Sequence, residues 1–204
     1  WNSLRLRDHY TPLQEASRIV YYPLHVPGDM ALTLRSPQYL DQLALIDLVL
    51  RSVPHTHRVA IKEHPAMIGA VDPARLIELK RRYDNLVLLP PSTNNYQVIR
   101  AADLVVSVNS KSGAEAALLG KPVLVLGDAF YRNSPLVRAL DDPGQLRAAI
   151  GETLQGPARP GNQDLTVRYF EAVWRGCHSG ELYVCDEANV RVFTDSMLAG
   201  IAGR

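Results

Sequence analysis

The sequence predicts an α/β fold in which helices cover both faces of a parallel sheet, a doubly wound arrangement, with further helices at the C-terminus. Short apolar runs rich in Val, Ile, Leu and Tyr alternate with segments whose apolar residues recur every three or four positions. Two of these runs, residues 104–108 and 123–126, contain one polar residue between them, Ser107. Strands without alternating polar residues are expected where both faces of a sheet are buried.

The predicted elements follow one another in strand–helix order. Strands are predicted at residues 18–24, 58–62, 86–90, 104–108 and 123–126. Helices are predicted at residues 38–53, 73–83, 94–102 and 112–119. Asp72 and Pro73 mark one helix start, since an acidic N-cap followed by proline is a common first turn. Five strands separated by helices predict a Rossmann-like sheet.

The chain divides into three predicted parts. Residues 18–155 form the Rossmann-like domain, and residues 1–17 are predicted to be a linker or the remnant of an N-terminal domain. Residues 156–204 form a helical tail, in which helical patterns cover residues 164–175 and 184–202. Because the chain starts at Trp1 without an initiator Met, we expect a fragment that lacks a domain upstream.

Composition excludes several classes of protein. The net charge is +1 at pH 7, and no basic stripe alternates with aromatic residues, which argues against a nucleic-acid partner. Cys177 and Cys185 are too few for a disulfide framework and form no CxxC pair, so reduced thiols in the cytoplasm are expected. No signal peptide or membrane-spanning apolar run is visible in the sequence.

Ligands of doubly wound sheets bind at the carboxyl ends of the strands, so the residues that follow each strand are the candidates. The second strand ends in Lys62-Glu63-His64-Pro65. His64 could donate a hydrogen bond to a phosphate oxygen, Lys62 adds positive charge, and Pro65 restricts the backbone before it. The alternative is an ordinary histidine in a loop.

A small polar turn follows the fourth strand and opens a helix. Free backbone N–H groups and the positive end of the helix dipole make such a turn a candidate anion site. Ordinary N-capping by Ser110 or Ser112 explains the same residues and stays open as the alternative. The candidates are Asn109, Ser110, Lys111, Ser112 and Gly113.

Two further features lie at the same predicted edge. Glu115, one turn into that helix, could accept hydrogen bonds from two sugar hydroxyls, or could simply favour the helix N-terminus. The loop with Ser92 and Thr93 could line a base or sugar pocket, or cap the next helix through Thr93 or Asn94. The combined set favours a nucleotide phosphate over a metal or a hydride cofactor, and no GxSxG hydrolase motif is present.

Five blocks occur in an order that resembles the bacterial capsule polysaccharide biosynthesis glycosyltransferases, GT-B enzymes related to the Kdo transferases. They are "YYPLHVPGD", "DQLALI", "KEHP", "PSTNNYQVIRAAD" and "VSVNSKSGAEAALLGKPVLVLGDAFY". The resemblance covers roughly residues 18–135 and implies that the chain is the C-terminal, donor-binding half of a two-domain enzyme.

The resemblance implies a role for several residues. His64-Pro65 would contact the donor phosphate, Asn109-Ser110 would form the hydroxyl-rich turn, and Gly113 and Glu115 match the family pattern. Lys111, Ser112 and Ala114 depart from that pattern.

The resemblance also implies the reaction and the partners. The expected donor is a nucleotide sugar, CMP-Kdo first, with no metal or other cofactor, and the acceptor is a glycan or glycolipid. The general base would lie on the missing half, so this fragment is expected to bind nucleotide without catalysing transfer. The expected location is the cytoplasm, with peripheral contact to the inner membrane through the missing half. A UDP-sugar transferase or 2-epimerase, and a non-catalytic interaction domain of a capsule assembly complex, remain the alternatives.

Overall fold

The computed structural model describes residues 5–156, 163–181 and 184–202. Their strands are β1 (Ile19–Pro23), β2 (Arg58–Lys62), β3 (Leu86–Leu89), β4 (Ala102–Ser107), β5 (Val123–Val125) and β6 (Arg138–Ala139). They form one six-stranded sheet in the order β3-β2-β1-β4-β5-β6. All neighbouring strands are parallel. The predicted fold class is therefore confirmed.

Helices connect and flank these strands. They are α1 (Met30–Thr33), α2 (Gln42–Ser52), α3 (Pro73–Arg82), α4 (Asn95–Ala101), α5 (Lys111–Leu118), α6 (Leu146–Gln155), α7 (Gln163–Arg175) and α8 (Glu187–Ala202). As predicted, Asp72 caps α3 by accepting from the N–H of Ala74 at 2.9 Å, and Pro73 is its first residue. These caps satisfy backbone donors that the first turn leaves unpaired.

The two faces of the sheet have different roles. On one face Val20, Tyr22 and Val106 join the main apolar core with residues of α2 and α6. Side chains alternate along a strand, so Tyr21, next to Ala60 and Val105 in register, lies on the opposite face. Lys62 lies two residues after Ala60, and Ser107 lies two residues after Val105, so both lie on the same face as Tyr21. Polar groups are thus placed at the carboxyl ends of buried strands.

The strand order reverses between β1 and β4. β1 connects through α2 to β2 on one side, while β4 connects through α5 to β5 on the other. In sheets of this kind, the loops diverge at the reversal and leave a crevice beyond the carboxyl ends of the strands. The loop after β1 and the turn after β4 lie at this reversal.

The sequence prediction placed one helix start too early and missed two short elements. The helix predicted from residue 38 starts at Gln42, because Pro37–Tyr39 form a separate 3-10 turn and Asp41 caps the helix. α1 and β6 were not predicted. α1 is a single turn of four residues, and β6 has only two residues, both exposed. Both are too short to show a repeating pattern of apolar residues in the sequence.

The segment before β1 packs on the domain in its described part, from residue 5 onward. Leu6 is 1% exposed and belongs to the main core. The Thr11 N–H donates to the carbonyl oxygen of Leu88 at 2.8 Å, beside a bridge between Tyr10 and Leu88. These residues therefore lie alongside β3 at the edge of the sheet.

The chain forms two compact units, residues 1–166 and 167–204. In the second unit, α7 continues to Arg175 and α8 covers Glu187–Ala202, while Cys177 and Cys185 are exposed and free. The predicted helical pattern at residues 184–202 thus starts three residues later as a helix. Within the described residues, every helix is too short or too polar to cross a bilayer.

Candidate functional site

The predicted site residues lie along one edge of the sheet, because all neighbouring strands are parallel and their carboxyl ends point the same way. Lys62 ends β2, and His64 follows it on the surface; the Asn109–Gly113 turn follows β4. β1 lies between β2 and β4, so the two strands are separated by about 10 Å, twice the usual strand spacing. His64 and Ser110 therefore occupy the same edge on either side of β1.

The turn after β4 is held by a closed ring of hydrogen bonds. The Ser110 N–H donates to Ser107 Oγ at 3.2 Å, and the Tyr131 hydroxyl donates to the Ser110 carbonyl oxygen at 2.6 Å. A hydroxyl has one proton, so Ser107 must donate the remaining bond, at 2.8 Å, to Tyr131. Burial raises the pKa of Tyr131 to about 12, which keeps this donor protonated.

Ser110 is the N-cap of α5. Its Oγ accepts from the Ser112 N–H at 3.2 Å, which is the ordinary capping that the sequence left open. Capping and anion binding are compatible here, because the cap uses the oxygen as an acceptor and leaves its proton to donate. Lys111 is exposed at the first position of the helix. The anion role of this turn stays a prediction.

Gly113 has a packing reason to be glycine. A Cβ at this position would lie 2.1 Å from Tyr131 Oη and 2.7 Å from Cζ. The Tyr131 ring thus rests directly on the backbone of α5. Any larger residue would push the ring away from the turn that its hydroxyl holds.

Glu115 is held by a second polar network. Asn95 Nδ2 donates to Glu115 Oε2 at 2.7 Å and to Ser112 Oγ at 3.0 Å. The Tyr21 hydroxyl donates to Asn95 Oδ1 at 2.9 Å, which fixes the orientation of that amide. A buried tyrosine in the central strand therefore positions, through Asn95, the carboxylate predicted to bind sugar hydroxyls.

Lys62 supplies a cation on the same face of the sheet. It is only 8% exposed, and burial lowers the pKa of its ammonium group, an effect that the Glu115 carboxylate partly opposes. The next residue, Glu63, is buried on the other face and accepts from the Gly69 N–H at 2.9 Å. This bond holds the loop that contains His64 and Pro65.

His25 is a residue of this edge to which the sequence analysis assigned no role. Its Nε2 accepts from the Asn109 N–H at 3.3 Å, joining the loop after β1 to the turn after β4. Its backbone makes two bonds to the Gln42 side chain, at 2.7 and 3.0 Å. His25 stands two residues after β1, just as His64 stands two residues after β2. This shared position is visible in the sequence and could have identified His25.

The remaining predicted residues either lie farther from the point where the strand order reverses or form hydrogen bonds with the backbone. Ser92 and Thr93 follow β3, an outer strand of the sheet, and Asn94 caps α4. Their role as a base pocket stays a prediction. Lys121 of the "GKP" block donates to the carbonyl oxygens of Arg100 and Ala102, at 2.6 and 2.9 Å, and so closes the end of α4.

A comparison with known families decides the identity of the chain. The model of a family described as capsule polysaccharide biosynthesis protein matches residues 2–141. The chain belongs to this family. Both hydrogen-bond networks described above lie within the matched residues.

A curated relative of this chain is much longer than the chain itself. Protein FixF of Sinorhizobium fredii (strain NBRC 101917 / NGR234) is 34% identical over 143 residues, 69% of this chain and 34% of FixF. The chain thus spans about a third of the length of that curated relative.

Solved structures share the fold of the capsule-family chain. KpsC of Thermosulfurimonas dismutans, a β-Kdo 2,7 transferase, has a TM-score of 0.52 at 21% identity, over 86% of this chain and 60% of that one. UDP-GlcNAc 2-epimerase of Neisseria meningitidis has a TM-score of 0.50 at 18% identity, over 79% of this chain and 45% of that one.

Across the described residues, no group of three or more His, Cys, Asp or Glu side chains could hold a metal ion. The expectation of a metal-independent site stays a prediction.

Proposed function

We propose that this chain is the donor-binding half of a glycosyltransferase of bacterial surface polysaccharide synthesis, and that it binds a nucleotide sugar at the carboxyl edge of its sheet. The observation that carries the proposal is the buried Lys62 ammonium near Glu115, on the edge that also presents the N-terminus of α5. A buried cation on the edge that also carries a helix N-terminus suits a phosphate, and an oriented carboxylate suits sugar hydroxyls.

The chemistry of transfer explains this combination. Breaking the bond between sugar and phosphate leaves negative charge on the phosphate, and fixed donors stabilise that charge as it develops. We assign this task to Lys62, His64, the positive end of the α5 dipole, the Ser110 hydroxyl and Lys111. The general base would come from the rest of the protein, so this chain alone would bind the donor without transferring it.

CMP-Kdo is the donor we favour, with a glycan or glycolipid as the acceptor. The support is the family description together with the fold shared with a Kdo transferase. A UDP-sugar is the second candidate, because a UDP-GlcNAc 2-epimerase shares the fold to a similar extent. The reaction would take place in the cytoplasm, with the rest of the protein meeting the acceptor at the inner membrane.

Titration calorimetry of the chain with CMP and with UDP tests the proposal. CMP should bind more tightly than UDP. His64→Ala should weaken CMP binding by about 1–3 kcal/mol, because a hydrogen bond to a charged group is lost, and Lys62→Gln by a similar amount. Arg75→Gln, an exposed change on α3, is the control and should leave the affinity unchanged.

The outcomes separate the candidates. A preference for UDP would move the assignment to the second candidate. Binding that is insensitive to both His64→Ala and Lys62→Gln, or no binding at millimolar nucleotide, would favour the non-catalytic interaction domain instead.

A further inference from the structure

A groove of about 580 Å³ opens at the amino edge of the sheet, the edge opposite the proposed nucleotide site. Arg58 is the first residue of β2 and Asn85 directly precedes β3, which places the groove at the strand starts. The last turns of α2 and α3 and the first turn of α6 complete it. Its lining includes four arginines, Arg51, Arg58, Arg82 and Arg147, and one carboxylate, Asp84.

The lining is strongly positive although the chain as a whole carries a net charge of only +1. Asp84 is the acidic residue that lines it, against four arginines. Asp47 nearby is shared by Arg51 at 2.8 Å and Arg82 at 4.0 Å. One carboxylate therefore serves two guanidinium groups, and positive charge remains uncompensated.

Structural roles explain only part of this charge. Arg51 and Arg82 lie in the last turns of helices, where the helix dipole favours cations. Arg147 donates to the carbonyl oxygen of Arg51 and so helps to close α2. Arg58 stands at a strand start. Burial, and after it the charge of Arg58, lower the pKa of the Lys80 ammonium, so two cationic groups lie close together there.

We propose that this groove binds a carboxylate-bearing glycan segment, a second carbohydrate site separate from the nucleotide edge. The volume lies in the range of small-ligand sites, and the arginine fork matches a carboxylate in two parallel hydrogen bonds. The choice of a glycan rests on the proposed function. A flat anionic bilayer fits a concave groove poorly, and the apolar lining residues Leu50 and Val53 are buried rather than available for insertion.

Calorimetry with tetragalacturonate, a carboxylated glycan, tests the site in the full chain. Its methyl ester has the same rings without the charge and should bind at least about tenfold more weakly. Binding of the acid form should weaken with added salt, because exposed charges are screened. Arg58→Gln should lower affinity by roughly three- to tenfold, as expected for the loss of one charge-assisted contact.

Arg75→Gln removes the same charge from exposed α3 and should leave tetragalacturonate binding unchanged. CMP binding should be the same in Arg58→Gln as in the parent chain. The proposals for the groove and for the nucleotide site are therefore tested independently. Equal affinity for acid and ester, equal loss in both arginine variants, or no glycan binding would overturn the proposal. So would binding only to phosphatidylglycerol vesicles, with phosphatidylcholine vesicles as their control.

Discussion

His25 joins the loop after β1 to the turn after β4. It is buried, and its Nε2 accepts from the Asn109 N–H, so the proton of the neutral ring must sit on Nδ1. Burial lowers the pKa of His25 to about 4, while the Asp29 charge opposes that shift. A charged imidazole would lose this acceptor, and the turn that begins at Asn109 would lose a support.

The pKa of His25 predicts a loss of stability in acid. In the unfolded chain this histidine takes up a proton below about pH 6.5, but in the folded chain only near pH 4. Between these values the unfolded state binds more protons. The contribution of His25 is therefore complete above pH 6.5 and decreases as the pH falls toward 4, by about 2–3 kcal/mol.

Urea unfolding at neutral pH and near pH 4.5 measures this effect. His25→Gln should reduce the acid-induced loss of unfolding free energy by about 2–3 kcal/mol relative to the parent chain. His55→Gln, at an exposed histidine, should keep the full loss. If both variants lose stability as the parent does, His25 is not the buried neutral group described here.

Individual site residues were predictable from the sequence where a strand end marks them. Lys62, His64 and Ser110 follow apolar runs directly, and the structure places them at the carboxyl edge. Tyr131 could not be assigned in this way. It reaches Ser110 only because β5 lies next to β4, a neighbourhood that depends on the strand order rather than on local sequence.

At the scale of elements, α5 owes its position to small side chains. Gly113, Ala114, Ala116 and Ala117 are all buried, so the helix lies close to its neighbours. The aromatic ring of Tyr131 occupies the space above Gly113. The helix, its N-terminal turn and the segment after β5 thus form one packed unit, and a change in one should move the others.

Gly113→Ala should destabilise the chain by about 1–3 kcal/mol, the usual cost of overpacking, and should weaken CMP binding as the turn shifts. Gly151→Ala in α6 is the matched control, because its Cβ would meet no heavy atom within 4 Å. That change should be neutral or stabilising by up to about 1 kcal/mol, since alanine favours helix. Urea unfolding of the two variants compares them, and equal stability would contradict the close contact.

Elements were predictable where they repeat an apolar period over many residues. α3 begins at Pro73 as its cap predicts, whereas α2 begins four residues later than its apolar pattern. Leu40 continued the helical spacing in the sequence, but Pro37–Tyr39 form their own turn and Asp41 starts the helix. A side-chain cap thus decided a boundary that periodicity alone placed too early.

At the scale of the molecule, the two edges of the sheet divide the proposed functions. The carboxyl edge holds the polar networks around Ser110 and Glu115, and the amino edge holds the arginine groove. The body of the sheet lies between them, so a ligand at one edge does not compete for space at the other. This separation is why the variants proposed for each edge should act independently.

The segment before β1 decides where the folded domain begins. As a linker or a remnant, residues 1–17 would contribute little to stability. Leu6, however, is 1% exposed within the main core, so Leu6→Ala should cost about 2–5 kcal/mol. Leu34→Ala, at a leucine that is 72% exposed, is the control and should change stability by less than about 0.5 kcal/mol. Thermal or urea unfolding measures both, and a small effect at Leu6 would support the prediction that the segment is a linker.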